Sequence, residues 1–467
     1  MLKKEMLSSG NTSWRDKIDR FMRSPVYILL VALLSGLSNA FSLEIPVYTI
    51  YGLLAIYTCV WGLDLLPMMP LMMCGFLAVS GNNNPGKSTT TVLSMAGGGV
   101  YLTCVAVAIV IALIYRIVRE FRRYRETKYV LMSGMLLLSG AYLLGGIGSQ
   151  GYLSNALRSM FFGFLNGLAI MLPYVMFSGN VRWDKTRKDY LIWVGFAIGC
   201  LLLWEVFWIY RIGNVIENGV INRRAIFTGW GMYNNIGSTL AMTIPFPLYL
   251  ATKYRQSWLG TLIGSVFLVG VLMTCSRTSI IFGCLIYFVC VLMMLIYAKD
   301  WKSSVFTLLF FAAAAAAVMH FIGDELKELF SALLEKGMDS SNRDEIYAEG
   351  IKLFSKYPIL GGSFFSPDYM PWAWATNESF TSVFPPRWHS TYVQLMASCG
   401  VVGLVTYAIH RWQTIKLFVK NRTPEKAFTA CSIIVLLTTS LADCHFFNVG
   451  PVLFYSMALA FAENMKE

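Results

Sequence analysis

The 467 residues contain only four histidines, and one of them, His389, stands two positions after Arg387 at the head of the apolar stretch "HSTYVQLMASCGVVGL". Arg277 sits between two long apolar runs in "TCSRTS", Arg223 and Arg224 lead "NRRAIFTGWGMYNN", and Arg343 opens "NRDEIYAEGIKLFSKYPILGG". Arginine offers a planar fork suited to phosphate oxygens, so a fixed set of them can hold a diphosphate and stabilise the charge that grows as it leaves. A histidine can take the proton from an incoming hydroxyl, typically a contribution of about 10²–10⁴-fold. Neither a carboxylate pair nor a metal-ligand cluster accompanies them, so the expected chemistry is group transfer from a lipid-linked diphosphate, without metal or cofactor. Asn234, Asn235, Arg387 and Tyr392 are expected to line the same substrate site. Taken singly, each residue also has a plainer reading: Arg343 as a surface residue paired with Asp344 or Glu345, His389 as an interfacial histidine, the arginines as cations reaching lipid phosphates.

The elements that must position these residues are membrane helices. The chain is 56% hydrophobic and 14% charged, and apolar runs of roughly 17–25 residues, long enough to cross a bilayer, recur from Pro25 almost to the end. The expected fold is all-α, a polytopic transmembrane bundle with one long extracytoplasmic loop containing short helices. The net charge of +12 is explained by Lys and Arg gathering in alternate loops rather than by nucleic acid. Ten cysteines, mainly inside apolar runs and without C-x-x-C spacing, make neither a disulfide framework nor a zinc site. Met1 to Arg23 is polar and basic, with no cleavage site after it, so no signal peptide is read.

Spans are expected near 26–41, 46–62, 65–80, 92–115, 129–147, 154–178, 190–210, 232–251, 257–274, 278–297, 302–322, 390–410, 427–443 and 449–463, about fourteen, or twelve to thirteen if early short ones are re-entrant. Basic loops such as "RIVREFRRYRETK", "VRWDKTRKD" and "HRWQTIKLFVKNRTPEK" fall on one side throughout, which places both termini in the cytoplasm. The resulting division is a cytoplasmic segment 1–24, helices over 25–322, an extracytoplasmic loop 323–388 and closing helices over 389–467. Arg223, Arg224, Arg277, Arg343, Arg387 and His389 all fall on the extracytoplasmic side, against the topological bias.

In the long loop, Ser341 and Asp344 form a capping-box pattern for a helix that turns Ile346, Gly350, Ile351 and Phe354 to one side and ends by Pro358 and Gly361. Trp372, Trp374, Trp388 and Tyr369 could stack on sugars or anchor at the interface. "GNNNPGKS", Gly81 to Ser88, matches a nucleotide-binding loop residue by residue, yet it joins two apolar spans rather than a strand and a helix; a tight turn without nucleotide is the reading. Glu205 lies inside an apolar run, where the default reading is functional and a hydrogen bond to a neighbouring helix, or protonation, is an adequate structural account. Asp443, His445 and Asn448 sit at an outer helix end.

The order of "RRAIFTGWGMYNNIGSTLAM", "TCSRTS", the loop with "NRDEIYAEGIKLFSKYPILGG" and the closing "HSTYVQLMASCGVVGL" resembles the O-antigen ligase and polymerase superfamily from about Arg223 onward. The resemblance implies a membrane glycosyltransferase of the bacterial cell membrane that moves glycan from undecaprenyl diphosphate to a glycan, lipid or protein acceptor without metal. On matching positions it implies that Arg277 and Arg343 bind the diphosphate, with Arg223 or Arg224 assisting, and that His389 activates the acceptor hydroxyl. Ser390 stands where the family has Asn, and "SRT" replaces "SRG", so polymerase and ligase are not separated. The reading from a different class is a transporter or flippase of lipid-linked glycans.

Overall fold

Every apolar stretch becomes a helix in the computed structural model, which describes residues 14–78, 97–213, 215–217, 219–228, 230–329, 343–366 and 387–465. In chain order the helices are α1 Trp14–Met22, α2 Pro25–Phe41, α3 Glu44–Val60, α4 Met68–Leu77, α5 Gly98–Arg119, α6 Phe121–Glu126, α7 Met132–Leu144, α8 Tyr152–Asn180 and α9 Tyr190–Ile212. They continue with α10 Tyr233–Thr243, α11 Pro245–Lys253, α12 Ser257–Met273, α13 Arg277–Tyr297, α14 Trp301–Leu329, α15 Arg343–Lys356, α16 Thr391–Val419, α17 Pro424–Thr439 and α18 Val449–Asn464. Between α9 and α10 lie two small antiparallel hairpins, Ile216–Glu217 with Val220–Ile221 and Phe227–Thr228 with Gly231–Met232. The capping-loop and aromatic residues Ser341, Tyr369, Trp372 and Trp374, and the turn Gly81–Ser88, lie outside the described residues.

Local chemistry sets several boundaries. Ser24 accepts from the Tyr27 N–H and Pro25 occupies the first helical position, which starts α2; Thr423 and Pro424 repeat the device at α17. Pro245 has no N–H to give, so the expected 232–251 span divides into α10 and α11. Among the described residues six helices are long and apolar enough to cross a membrane, counting α16 as one helix, or seven if the bent pair α1 and α2 is one span. The remaining stretches are helical but shorter than full crossings. Large apolar side chains such as Leu153, Leu157, Ile296 and Phe306 cover the outside of the bundle, the arrangement of a multi-pass membrane protein whose solvent is lipid. Inside, small residues let helices approach: a Cβ at Gly163 of α8 would stand 2.3 Å from the Tyr142 carbonyl of α7.

Ionisable groups within the bundle are held. Glu205 accepts from Asn39 Nδ2 and, at 3.0 Å, from Trp230 Nε1, so the hydrogen-bonded reading of this residue stands. Arg116 is fully buried and donates to the carbonyls of Gly62 (2.7 Å) and Leu63 (2.8 Å), while Arg23 pairs with Asp64. These contacts satisfy charges that would otherwise be expensive to bury.

The largest departure from the sequence expectation is in α16. The spacing predicts one continuous span over 390–410; instead the helix breaks at Gly400, with φ 62° and ψ −155°. Only glycine occupies this region without strain. The carbonyls of Pro358 and Ile359 accept from the N–H groups of Val401 (2.8 Å) and Val402 (3.2 Å), and Gly362 and Ser363 donate back to Ala397 and Ser398. The segment 358–363 is thereby stitched across the break. On either side the chain folds back sharply, so that the rings of Tyr392 and Tyr407 meet at 5.7 Å, where a continuous helix would separate them by about 22 Å. Tyr407 lies seven residues past the break, so the 391–399 limb descends about 10 Å into the bundle from Gly400. His389 therefore lies at the end of a short limb, remote from the loop segment 358–363.

Candidate active site

The floor beneath that limb is built by α17 and α18. Each has 16 residues, about 24 Å, which falls short of a hydrocarbon core of about 30 Å. Their connection, 440–448, accordingly ends inside the bundle, where the Thr391 N–H donates to the carbonyls of Ser440 (2.9 Å) and Asp443 (3.2 Å). This brings Asp443 to His389: Asp443 Oδ1 lies 4.0 Å from His389 Nδ1. His389 Nδ1 is buried whereas 41% of the side chain is exposed, so the open edge of the ring is the one bearing Nε2. His389 itself has φ 50°, an unusual conformation for a non-glycine residue. It is held by Tyr347, whose hydroxyl donates to the His389 carbonyl at 3.0 Å, and by Trp388, whose N–H donates to Gln394 Oε1 at 3.2 Å.

Burial pushes the His389 imidazole below its usual range, and the Arg343 and Arg387 guanidinium groups push it the same way, against the opposing pull of Asp443. His445 is depressed by burial as well, again with Arg387 and Arg343 contributing and Asp443 opposing. Burial acts to raise the Asp443 carboxyl, but His445, His389, the Cys444 N–H at 2.7 Å and Arg387 together hold it below the ordinary carboxylate range. The result is an ionised carboxylate beside two neutral imidazoles, faced by two arginines. Arg387→Gln removes a cation that depresses His389, so the acidic limb of a pH–rate profile should move to higher pH. Asp443→Asn removes the group that opposes the depression, so that limb should move to lower pH; titration of transfer rate against pH in the two variants checks both signs.

A second cluster surrounds Arg277. Ser276 Oγ donates to Asn234 Oδ1 at 3.0 Å, which joins the start of α13 to the start of α10. Arg223 lies over the Tyr233 ring at 5.3 Å and acts electrostatically on Cys275, whereas Arg224 is exposed. The two clusters are bridged by the first turns of α10: Asn448 Nδ2 donates to Asn235 Oδ1 at 3.1 Å, and Ser238 Oγ lies 3.4 Å from His445 Nδ1. Contacts at or within one turn of the starts of α10, α13, α15, α16 and α18 run through Asn234 with Ser276, Asn235 with Asn448, Tyr347 with His389 and Thr391 with Asp443. Positive helix ends, together with Arg343 and Arg387 near His389, favour an anion.

Several sequence expectations are relocated. Tyr392 faces Tyr407 rather than His389. Trp388 is 2% exposed and packs on Gly350 and Leu353, so it offers no face to a sugar. The buried side of α15 is Ile346, Gly350 and Leu353, and Ile351 is exposed; the i, i+4, i+7 positions share a face, and Ile351 is turned about 100° from Gly350. Arg343 forms no ion pair with Asp344 or Glu345, both of which are exposed. Arg411, read as part of a basic loop, lies inside the bundle, because α16 runs on to Val419. Its guanidinium stands 4.4, 4.2 and 4.8 Å from the rings of Tyr407, Phe446 and Tyr455. Asp443 is the part that sequence reasoning left unconnected to His389; no local pattern marks the pair, since α16, α17 and the 440–448 turn bring the two together.

No curated protein matches the chain. A family model described as O-Antigen ligase matches residues 261–408, about a third of the chain, from α12 into the second limb of α16. The matched segment contains Arg277, Arg343, Arg387 and His389. Over residues 261–408 the chain is thus similar to the O-antigen ligase family.

Proposed function

We propose that the chain is a glycosyltransferase that moves an oligosaccharide from undecaprenyl diphosphate to a hydroxyl of a glycan, lipid or protein acceptor, at the extracytoplasmic face of the bacterial cell membrane. The observation that supports the reading is that the half-exposed His389 lies 4.0 Å from the Asp443 carboxylate and within electrostatic reach of Arg343 and Arg387. The diphosphate docks against Arg277 and Arg343, with Arg223 beside the same turn and Arg224 at its rim. Asn234, Asn235 and Arg387 line the approach. The acceptor oxygen attacks the anomeric carbon, and the carbon–oxygen bond to the diphosphate breaks with its electron pair leaving on the lipid diphosphate. The acceptor proton passes to His389 Nε2. Guanidinium groups supply the charge stabilisation, so the reading needs no metal. Positive charge on the ring is stabilised by Asp443, since opposite charges about 4 Å apart attract by up to about 4 kcal/mol at an effective dielectric of 20. Asp443→Asn should therefore lower the plateau rate about tenfold or more.

In the same reading the basic loops and both termini face the cytoplasm. The full chain purified in detergent, given undecaprenyl-diphosphate oligosaccharide and a lipid-core or glycan acceptor, is expected to form the new glycosidic bond unaided and to release the lipid diphosphate. Movement of the intact donor across a vesicle membrane without any covalent change would instead identify a transporter. Longer chains with a glycan acceptor would mark a polymerase, and conjugates with a lipid or protein acceptor a ligase.

A further inference from the structure

At the end of the bundle away from His389, the termini of α6, α8 and α18 and the segment leading into α9 border a cavity of about 520 Å³. Among the described residues Arg123, Arg187 and Lys188 line it against one carboxylate, Asp184, with Ser178 and Asn464 among its polar neighbours. A basic face alone is explained by topology, since Lys and Arg gather in such loops whatever they bind. A concave shape and an unanswered donor distinguish this place. Ser178 is 5% exposed, lines the cavity, and its hydroxyl has no hydrogen-bond partner among the described residues. Buried hydroxyls are normally paired, so the Ser178 hydroxyl is available to a group bound in the cavity.

The cations are positioned for an anionic group. Arg123 is fixed by one terminal nitrogen on the Val181 carbonyl at 2.8 Å, which leaves the rest of its fork for a second acceptor. Arg187 is held edge-on by the buried Asp189, Nε to Oδ1 at 3.1 Å, and Asp189 is shared with Lys253 at 2.8 Å. One carboxylate thus anchors two cations, and the cavity keeps an excess of positive charge. We propose that this cavity binds a phosphate-bearing group, the headgroup of an anionic membrane lipid or a soluble phosphate compound, at a site separate from the one that carries His389. The phosphoryl oxygens accept from Arg123 and Lys188, and a headgroup or ester oxygen accepts from Ser178. Such basic pockets between membrane helices suit phospholipid headgroups, and the cavity volume falls in the range of small-molecule sites.

The test uses the full chain in nanodiscs of phosphatidylcholine alone or with phosphatidylglycerol, with retained lipid counted by native mass spectrometry. One phosphatidylglycerol should be retained saturably. Arg123→Gln with Lys188→Gln should weaken retention about tenfold or more, whereas Arg125→Gln with Lys185→Gln, an equal loss of charge outside the cavity, should change it less than twofold. Ser178→Val leaves every charge in place and should still weaken retention. Lys188→Gln alone, at an exposed position without a described hydrogen bond, keeps the question open to test if the double variant does not fold. In phosphatidylcholine discs, inorganic phosphate that raises the melting temperature with the same dependence on variants would identify the soluble source. Equal weakening by the two double variants, no effect of Ser178→Val, or no saturable binding of either probe would overturn the proposal.

Discussion

Loss of glycan transfer by about 10²–10⁴-fold is the expected result of His389→Ala, the range of a removed general base. The fall should appear in the rate of bond formation and not in donor capture, because the proposed mechanism gives the acceptor proton to His389 Nε2 and the diphosphate to the arginines. Single-turnover measurements with preloaded donor separate these steps. Full activity in this variant would move the base elsewhere, with His445 the nearest imidazole. His445 is 2% exposed and wedged between Ser238 and Asn448, so it has no path to a hydroxyl in this arrangement. Loss of Arg277 or Arg343 should act differently, by raising the donor concentration needed for half-maximal rate.

Gly400→Ala is expected to destabilise the chain by about 3 kcal/mol or more, the sum of forcing a side chain into a glycine-only region of backbone space and the clash that follows. A Cβ at this position would stand 2.4 Å from the Ile359 carbonyl oxygen. Relief requires the 358–363 segment to lift, and with it the stitches that fix the limb ending at His389. Thermal unfolding in nanodiscs and transfer activity should therefore fall together. An unchanged melting temperature with full activity would show that the break is not a structural requirement.

How much of this was legible in the sequence depended on range. Apolar run length placed a helix at every expected stretch, because backbone groups in lipid must be satisfied within the segment. The ends of those helices were less legible. Gly400 stands among residues as apolar as those of any continuous span, and nothing local separates a glycine that packs from one that bends. The fold-back became visible only with its partner, the carbonyls of Pro358 and Ile359. The basic appearance of "HRWQTIK" led Arg411 to be placed in a loop, although stacking on three rings keeps it inside. The arginines and His389 could be picked out because cations near apolar runs are uncommon. Asp443 could be seen as unusual but not as the neighbour of His389, since that contact depends on two short helices leaving their turn inside the bundle.

The descent of the 391–399 limb bears on a competition that any such enzyme faces. Bulk solvent is the most abundant nucleophile available to an activated sugar, and at an open surface much of the donor would be lost to hydrolysis. In the proposed reaction, a base carried at the end of the 391–399 limb remote from the 358–363 segment would be reached by an acceptor hydroxyl on an extended chain, and selection against water would then follow from reach rather than from sugar-specific contacts.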